Sequence, residues 1–278
     1  MELGRIDGDA TFTAPDGFST RLRTRPGYAA SAGGARVVRM IEAADAEILR
    51  LLDGVPALHD WIRSVPASSN EAGGPQWRND HLPAFDAVSI ALMLAAERPD
   101  VYFEIGSGNS TRFARSAIRH LGLKTRIVSV DPHPREDIDD ICDHVIRSPL
   151  EDAAPEALAI LRDGPLVFFD GSHRTLPNSD VTVFFIELLP ELPPGCVYGV
   201  HDICLPLDYA PGYAERFYSE QYLLHAYLIG GADGDAVALP VSHESYSGRF
   251  LARMPADVAL HAPWGNAFWM RRKPQPQA

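Results

Sequence analysis

The stretch Val101–Thr111, reading Val-Tyr-Phe-Glu-Ile-Gly-Ser-Gly-Asn-Ser-Thr, leaves the backbone few choices. A short apolar run that ends in an acid and two closely spaced glycines can continue neither as strand nor as helix, so the chain must turn there. Val101 to Ile105 reads as a buried strand. Gly106 and Gly108 let the backbone bend and approach a ligand with no Cβ in the way. Ser110 or Thr111 can cap a helix starting near Arg112. Strand, glycine loop and helix N-terminus in that order is how α/β sheets hold nucleotide-like ligands. Taken alone, the glycine pair fits an ordinary turn equally well.

The chain of 278 residues, 46% of them hydrophobic, suits one α/β domain with an N-terminal extension better than two equal domains. A formal charge of -12 argues against an extended phosphate-binding surface, and so against nucleic acid as a partner. No apolar run of about 18 residues is present to span a bilayer, and no signal core follows Met1, which predicts a soluble cytoplasmic protein. Cys142, Cys196 and Cys204 lack any C-x-x-C pairing and read as small buried thiols.

Residues 1–34 mix Gly, Thr, Asp and Pro, which supports no more than an edge hairpin or loose arm. Helical spacing of Val37, Val38, Ile41, Ile48, Leu51 and Leu52 predicts one amphipathic helix over 35–52. A short helix over 57–63 follows, then a flexible link over 66–75, so that residues 1–75 form an extension and 76–278 the main domain. A helix over 84–98 precedes the first core strand. Beyond the glycine loop, helices over 111–121, 135–141, 151–162, 180–189 and 213–229 alternate with strands over 126–130, 144–147, 166–169 and 196–200. Strands near 236–241 and 267–271 close the pattern. Such alternation predicts a mostly parallel sheet flanked by helices.

Asp131 ends the second strand roughly 20 residues after the glycines, the place from which an acid accepts hydrogen bonds from both hydroxyls of a ribose. A dinucleotide fingerprint needs a third glycine, where this chain has Thr111. Glu104 would repel a pyrophosphate but favour a sulfonium and an amino group. An NAD-type oxidoreductase is therefore the weaker alternative, beside a non-catalytic cofactor-binding module.

The runs Glu104–Thr111, Val128-Ser-Val-Asp131-Pro, Phe168-Phe-Asp170-Gly-Ser-His173 and His201-Asp202-Ile resemble the successive motifs of class I S-adenosylmethionine-dependent methyltransferases. The span from Trp77 to Leu228, with Tyr218-Ser-Glu-Gln-Tyr-Leu-Leu224, is similar to the bacterial branch called the methyltransferase 24 family. The resemblance implies a Rossmann-like fold with a seven-stranded, mostly parallel sheet. It implies S-adenosylmethionine as cofactor, with Gly106, Ser107 and Gly108 under its methionine part and Glu104 near its amino group. Asp131 would hold the ribose, Pro132 and His133 would flank the adenine, and the loop Ser148–Glu151, including Pro149, would close over it. Asp170 would lie beside the methionine end and face the acceptor.

Methyl transfer to a hydroxyl needs alignment, exclusion of water and removal of a proton. Neighbouring strand ends about 4.8 Å apart should gather Asp170, His173, His201 and Asp202 into one volume. Two mechanisms fit. Either Asp170 and Asp202 bind Mg²⁺, or His173 or His201 acts as general base with no metal. The remaining histidines, among them His81, His225 and His261, read as structural. Tyr-rich residues 205–213, with Tyr218 and Tyr222, would line the acceptor site, and Trp77 and Asn79 would form a lid. Glu220 and Gln221, polar on an apolar helix, mark either a site or a contact between copies in a homo-oligomer. The reading is an O-methyltransferase for a small-molecule or glycosylated acceptor.

Overall fold

Runs such as Val101–Ile105 and Leu166–Phe169 are short and, apart from Glu104, apolar on both faces, as strands are when helices cover a parallel sheet from either side. In a computed structural model of the chain this is the arrangement found. The structure describes residues 4–6, 9–13, 17, 19–25, 27–68, 74–135, 137–162 and 164–274. Its elements are β1 (Gly4–Ile6), β2 (Asp9–Thr13), β3 (Ser19–Leu22), α1 (Ala32–Ala43), α2 (Asp45–Leu52), α3 (His59–Ser64) and α4 (Ala84–Glu97). There follow β4 (Val101–Ile105), α5 (Asn109–His120), β5 (Arg126–Val130), β6 (His144–Ile146), α6 (Leu150–Leu161), β7 (Leu166–Phe169), α7 (Asp180–Val183) and β8 (Val197–Val200). The last are α8 (Pro211–Glu215), α9 (Glu220–Ile229), β9 (Ala236–Pro240), α10 (Val241–Tyr246) and β10 (Phe268–Arg271).

The main sheet has seven strands in the order β6-β5-β4-β7-β8-β10-β9. Strands β4 to β8 run parallel, and β10 inserts antiparallel between β8 and β9. The order reverses between β4 and β7, so a crevice opens at their carboxyl ends. That crevice is where the glycine loop and Asp170 emerge.

One continuous apolar core joins the sheet to both helical layers. Residues of the N-terminal extension enter it: Val37, Ile41, Ile48, Leu52, Trp61 and Ile62 are all buried against the domain. Helix α4 is buried from Ala84 to Leu94, and the acid in that stretch, Asp86, is fully buried. Trp269 of β10 stacks on Phe168 at 5.3 Å between centroids and donates its indole N–H to Ser89 Oγ at 2.9 Å. That indole lies directly over Gly199.

Several expected elements take a different form. The helix expected over 35–52 is two, broken at Ala44. Among the described residues of 135–141 only one turn, Asp139–Ile141, is wound; Pro134 and the run of acids there give little helical support. The helix expected over 213–229 is also broken. Phe217 adopts φ 62°, and the N–H groups of Ser219 and Glu220 both turn to the carbonyl of His173 at 2.8 and 3.3 Å, starting α9 afresh. Helix α10 was not legible in the sequence. The N-terminal arm is a three-stranded antiparallel sheet, β1-β2-β3. Of the proposed link, residues 69–73 lie outside the described residues.

A Cβ added at Gly199 would come 2.6 Å from the Trp269 ring, closer than real contacts allow. Replacing Gly199 with Ala is therefore expected to cost about 1–3 kcal/mol through overpacking. Urea denaturation followed by tryptophan fluorescence checks this; an unchanged midpoint would mean that the indole moves aside freely.

Candidate active site

The turn after β4 is built as its residue types demand. Gly106 adopts φ 78°, and a Cβ there would overlap the backbone carbonyl of Asp170, so only glycine brings the two strand ends this close. Its N–H bonds to the carbonyl of Val130 at 2.9 Å. Asp131 then accepts two backbone N–H groups, from Ser107 on Oδ2 and from His133 on Oδ1, each at 2.8 Å. Helix α5 begins at Asn109, earlier than expected. Thr111 is its internal brace, its hydroxyl accepting the Gly108 N–H at 3.0 Å and donating to Glu104.

Glu104 lies beneath the loop and does not line the cleft. It is fully buried and also accepts the Tyr102 hydroxyl at 2.9 Å. Burial pushes its pKa up to about 7, against the hydrogen bonds from Thr111, Ser110 and Tyr102 that favour the charged form. Its part is to support the loop rather than to touch a ligand there.

Two clefts, each of about 440 Å³, open along the carboxyl edge of the sheet. The first is walled by Gly106, Ser107, Asp131, Pro132, His133 and Pro149, with Leu150 and Glu151 beyond. This gathers the residues expected around a cofactor, except Glu104 and Gly108; Gly108 lines a smaller recess nearby. The second is walled by Asn79, His81, His201, Asp202, Tyr213 and Tyr218, with His261 and Trp264 at its rim. Asp170, His173 and Arg135 belong to both. The volumes suit small organic ligands. Trp77, expected in a lid, is buried instead between Trp61 and Phe113, because its indole fills the core and donates to the carbonyl of Ile62 at 3.3 Å.

Where the clefts meet, the expected four residues do come together, and two unforeseen buried carboxylates stand behind them. His173 Nδ1 is 2.5 Å from Glu220 Oε1, while its Nε2 lies 3.3 Å from Asp170 Oδ1 and 3.4 Å from Asp202 Oδ2. His201 Nδ1 is 3.0 Å from Asp170 Oδ1 and its Nε2 3.2 Å from Asp86 Oδ2. Asp86 also accepts the backbone N–H groups of Asn266 and Ala267, fixing the start of β10. Asn266 in turn donates its amide to Asp202 Oδ1 at 2.8 Å and to the Tyr213 hydroxyl at 2.6 Å. Tyr218 packs on the His173 ring at 4.4 Å between centroids.

Every ring nitrogen of His173 and His201 thus faces a carboxylate oxygen, an arrangement that suits two imidazolium ions. Burial alone would lower their pKa values. Glu220, Asp170 and Asp202 around His173, and Asp170, Asp202 and Asp86 around His201, raise both well above the ordinary imidazole value. Burial likewise pushes Asp170 up, but the two imidazoles outweigh it and hold this carboxyl well below the usual range. Burial pushes Glu220 up to about 7 despite His173. A histidine held charged offers no lone pair, so the general-base reading of His173 and His201 does not fit this geometry. Asp170 Oδ1 takes both imidazole contacts, whereas Oδ2 has no hydrogen-bond partner among the described residues.

The same contacts bear on Mg²⁺, which takes near-octahedral oxygen ligands. His173 Nε2 sits against both Asp170 and Asp202, and the other Asp202 oxygen is taken by Asn266 and Tyr213. Among the described residues no group of three or more His, Cys, Asp or Glu side chains is arranged to hold a metal ion. The residues expected as metal ligands, Asp170 and Asp202, do not fit one.

A sheet ordered β6-β5-β4-β7-β8-β10-β9 with β10 reversed, a glycine loop after β4 and an acid after β5 define a Rossmann-like methyltransferase fold of class I. Residues 103–203 match the family model described as Methyltransferase domain. No match was found among curated proteins. Among solved structures, the chain is similar to cofactor-bound Rv0187 from MTB at 13% identity, covering 89% of this chain and 94% of that one, with a TM-score of 0.42. It is similar to the O-methyltransferase TomG from Streptomyces achromogenes, involved in tomaymycin synthesis and bound to S-adenosylmethionine, at 14% identity over 81% of this chain and 90% of that one, TM-score 0.43. A third likeness is to the MycE methyltransferase of the mycinamycin biosynthetic pathway, in complex with Mg, S-adenosylhomocysteine and mycinamycin VI. There the identity is 19% over 65% of this chain and 47% of that one, TM-score 0.37.

Glu104 offers a test of the buried support beneath the loop. Its folded pKa of about 7 lies above the ordinary 4.5, so it holds its proton more tightly folded than unfolded. The stability this adds is complete below about pH 4.5 and is lost as pH rises through 7. From about pH 5 to pH 8 the wild type should lose roughly 2–3 kcal/mol relative to Glu104→Gln, measured by urea unfolding at each pH. Parallel pH curves for the two proteins would contradict the placement of that carboxyl.

Proposed function

We propose that this protein transfers a methyl group from S-adenosylmethionine to a hydroxyl of a small-molecule acceptor. The observation that carries the reading is the junction at Asp170 and His173, shared by a cleft with cofactor-type lining and a second, polar cleft. The cofactor, when bound, supplies an electrophilic methyl group on a sulfonium. Asp131 fits the ribose, because each of its oxygens is steadied by one backbone N–H and keeps further accepting capacity. Pro132, His133 and Pro149 form the adenine side. Four carboxylates, Asp86, Asp170, Asp202 and Glu220, surround the two imidazoles at the junction, a setting that favours a cationic donor over a pyrophosphate. The NAD-type alternative is further disfavoured by the Gly108 N–H, which is given to Thr111 and not to the cleft.

Asp170 is the residue we assign to the acceptor's proton. Its Oδ2 is free to accept a hydrogen bond from the acceptor hydroxyl while Oδ1 is clamped by both imidazoles. Because those imidazoles hold its basicity down, Asp170 takes the proton late, as the oxygen–methyl bond forms and the oxygen turns strongly acidic. His173 and His201 fix the carboxylate's direction, and Tyr218 and Tyr213 shape the acceptor side.

Calorimetry with S-adenosylmethionine and with NAD tests the reading, since only the former should bind. Asp131→Ala should weaken that binding by about 1–3 kcal/mol, as expected for lost charge-assisted hydrogen bonds. In a screen of hydroxyl acceptors with detection of S-adenosylhomocysteine, Asp170→Asn should lower turnover about 100-fold or more. EDTA and added Mg²⁺ should leave turnover unchanged. Tight binding of NAD, or activity restored only by Mg²⁺, would overturn the proposal.

A further inference from the structure

Beyond the second cleft lies a third, of about 680 Å³, that neither the mechanism nor the matched segment 103–203 accounts for. Its outer wall is the N-terminal arm. Arg21 of β3 and Arg23 and Arg25 just beyond it all line this wall. Its inner wall is aromatic: Tyr28, Phe217, Tyr218 and Tyr222, with Tyr28 and Tyr222 edge to face at 6.2 Å. Tyr218 lines both this cleft and the acceptor cleft, and on its far side packs on His173. The outer cleft is therefore one ring away from the reacting centre.

The charges make this cleft selective. Arg21, Arg23 and Arg25 form no ion pair among the described residues, nor do Arg135 and Arg216 at the acceptor cleft. The carboxylate in the outer cleft, Asp208, is already engaged: Oδ2 accepts the Arg25 backbone N–H at 2.6 Å, and Oδ1 the Tyr222 hydroxyl at 2.8 Å and the Tyr209 N–H at 2.9 Å. Asp80 is the other acid lining these two clefts away from the junction. In a chain of net charge -12, three unpaired guanidinium groups facing one aromatic wall form a local positive field in a concave site. Guanidinium forks match carboxylate and phosphate oxygens, and the tyrosines can stack on a ring or sugar.

We propose that the acceptor is anionic: a phosphate or carboxylate joined to an aromatic or sugar body, held at its charged end by Arg21, Arg23 and Arg25 while its hydroxyl reaches Asp170 past Tyr218. The N-terminal arm is then the specificity element of the enzyme. This rests on the methyltransferase reading for the identity of the ligand, but the anion site itself can be read without turnover.

The test is a calorimetric titration with p-nitrophenyl phosphate, with p-nitrobenzoate and with neutral p-nitrobenzyl alcohol, each with and without S-adenosylhomocysteine. At least one of the two anions should bind more tightly than the alcohol, and which of them does so distinguishes phosphate from carboxylate. That affinity should fall about tenfold or more in the double variant Arg21→Gln/Arg23→Gln and weaken on raising NaCl. The thermal midpoint and the affinity for S-adenosylmethionine should stay unchanged. Should the double variant lose its melting transition, Arg23→Gln and Arg25→Gln taken singly probe the same wall. Anions binding no better than the alcohol, or binding that ignores salt and both arginines, would overturn the anion site. Failure to bind S-adenosylmethionine would overturn the methyltransferase reading instead, so the two outcomes are told apart.

Discussion

A single buried carboxylate, that of Asp86, holds the site in register. It sits on a helix otherwise covered by apolar packing, and it accepts the N–H groups that open β10 together with an imidazole nitrogen from the end of β8. A buried charge is tolerated only when it is paired and hydrogen-bonded, so these partners cannot drift apart without a cost of several kcal/mol. Helix α4, strand β8 and strand β10 are thereby locked at the one place where their relative position fixes His201, and through His201 the direction of Asp170.

The same logic repeats on the other side of Asp170. Glu220 is brought under His173 because the His173 carbonyl captures the first N–H groups of α9, so a backbone contact sets a side-chain contact. The result is a ladder of alternating carboxyl and imidazole groups, Asp86, His201, Asp170, His173, Glu220, with Asp202 bridging at one rung. Removing one rung leaves its largely buried neighbours without a partner, which is why the ladder is rigid.

The half of the site that lies close along the chain was legible. Gly106, Asp131 and Asp170 stand at strand ends, where the local grammar of strand, turn and helix forces particular residue types, and the parallel sheet brings those ends together by topology alone. Asp86 and Glu220 were not assigned, for they meet His201 and His173 across 115 and 47 residues. The available signal is an acid within an apolar helical stretch, which marks the residue but names no partner for it. Helix boundaries failed for a related reason: the break at Phe217 depends on a carbonyl more than 40 residues earlier, which no local periodicity encodes. The roles of His173 and His201 turned on how many carboxylates crowd each ring, a property of the folded site alone.

The reversed strand β10 carries a kinetic consequence. Strand β9 precedes it in the chain yet has no neighbour in the sheet except β10, so β9 cannot dock before β10 has slotted in beside β8. During synthesis the open edge of β8 must wait, unpaired and apolar, while some 67 residues between the two strands emerge. Any chaperone dependence or aggregation of this chain should therefore concentrate at that waiting edge.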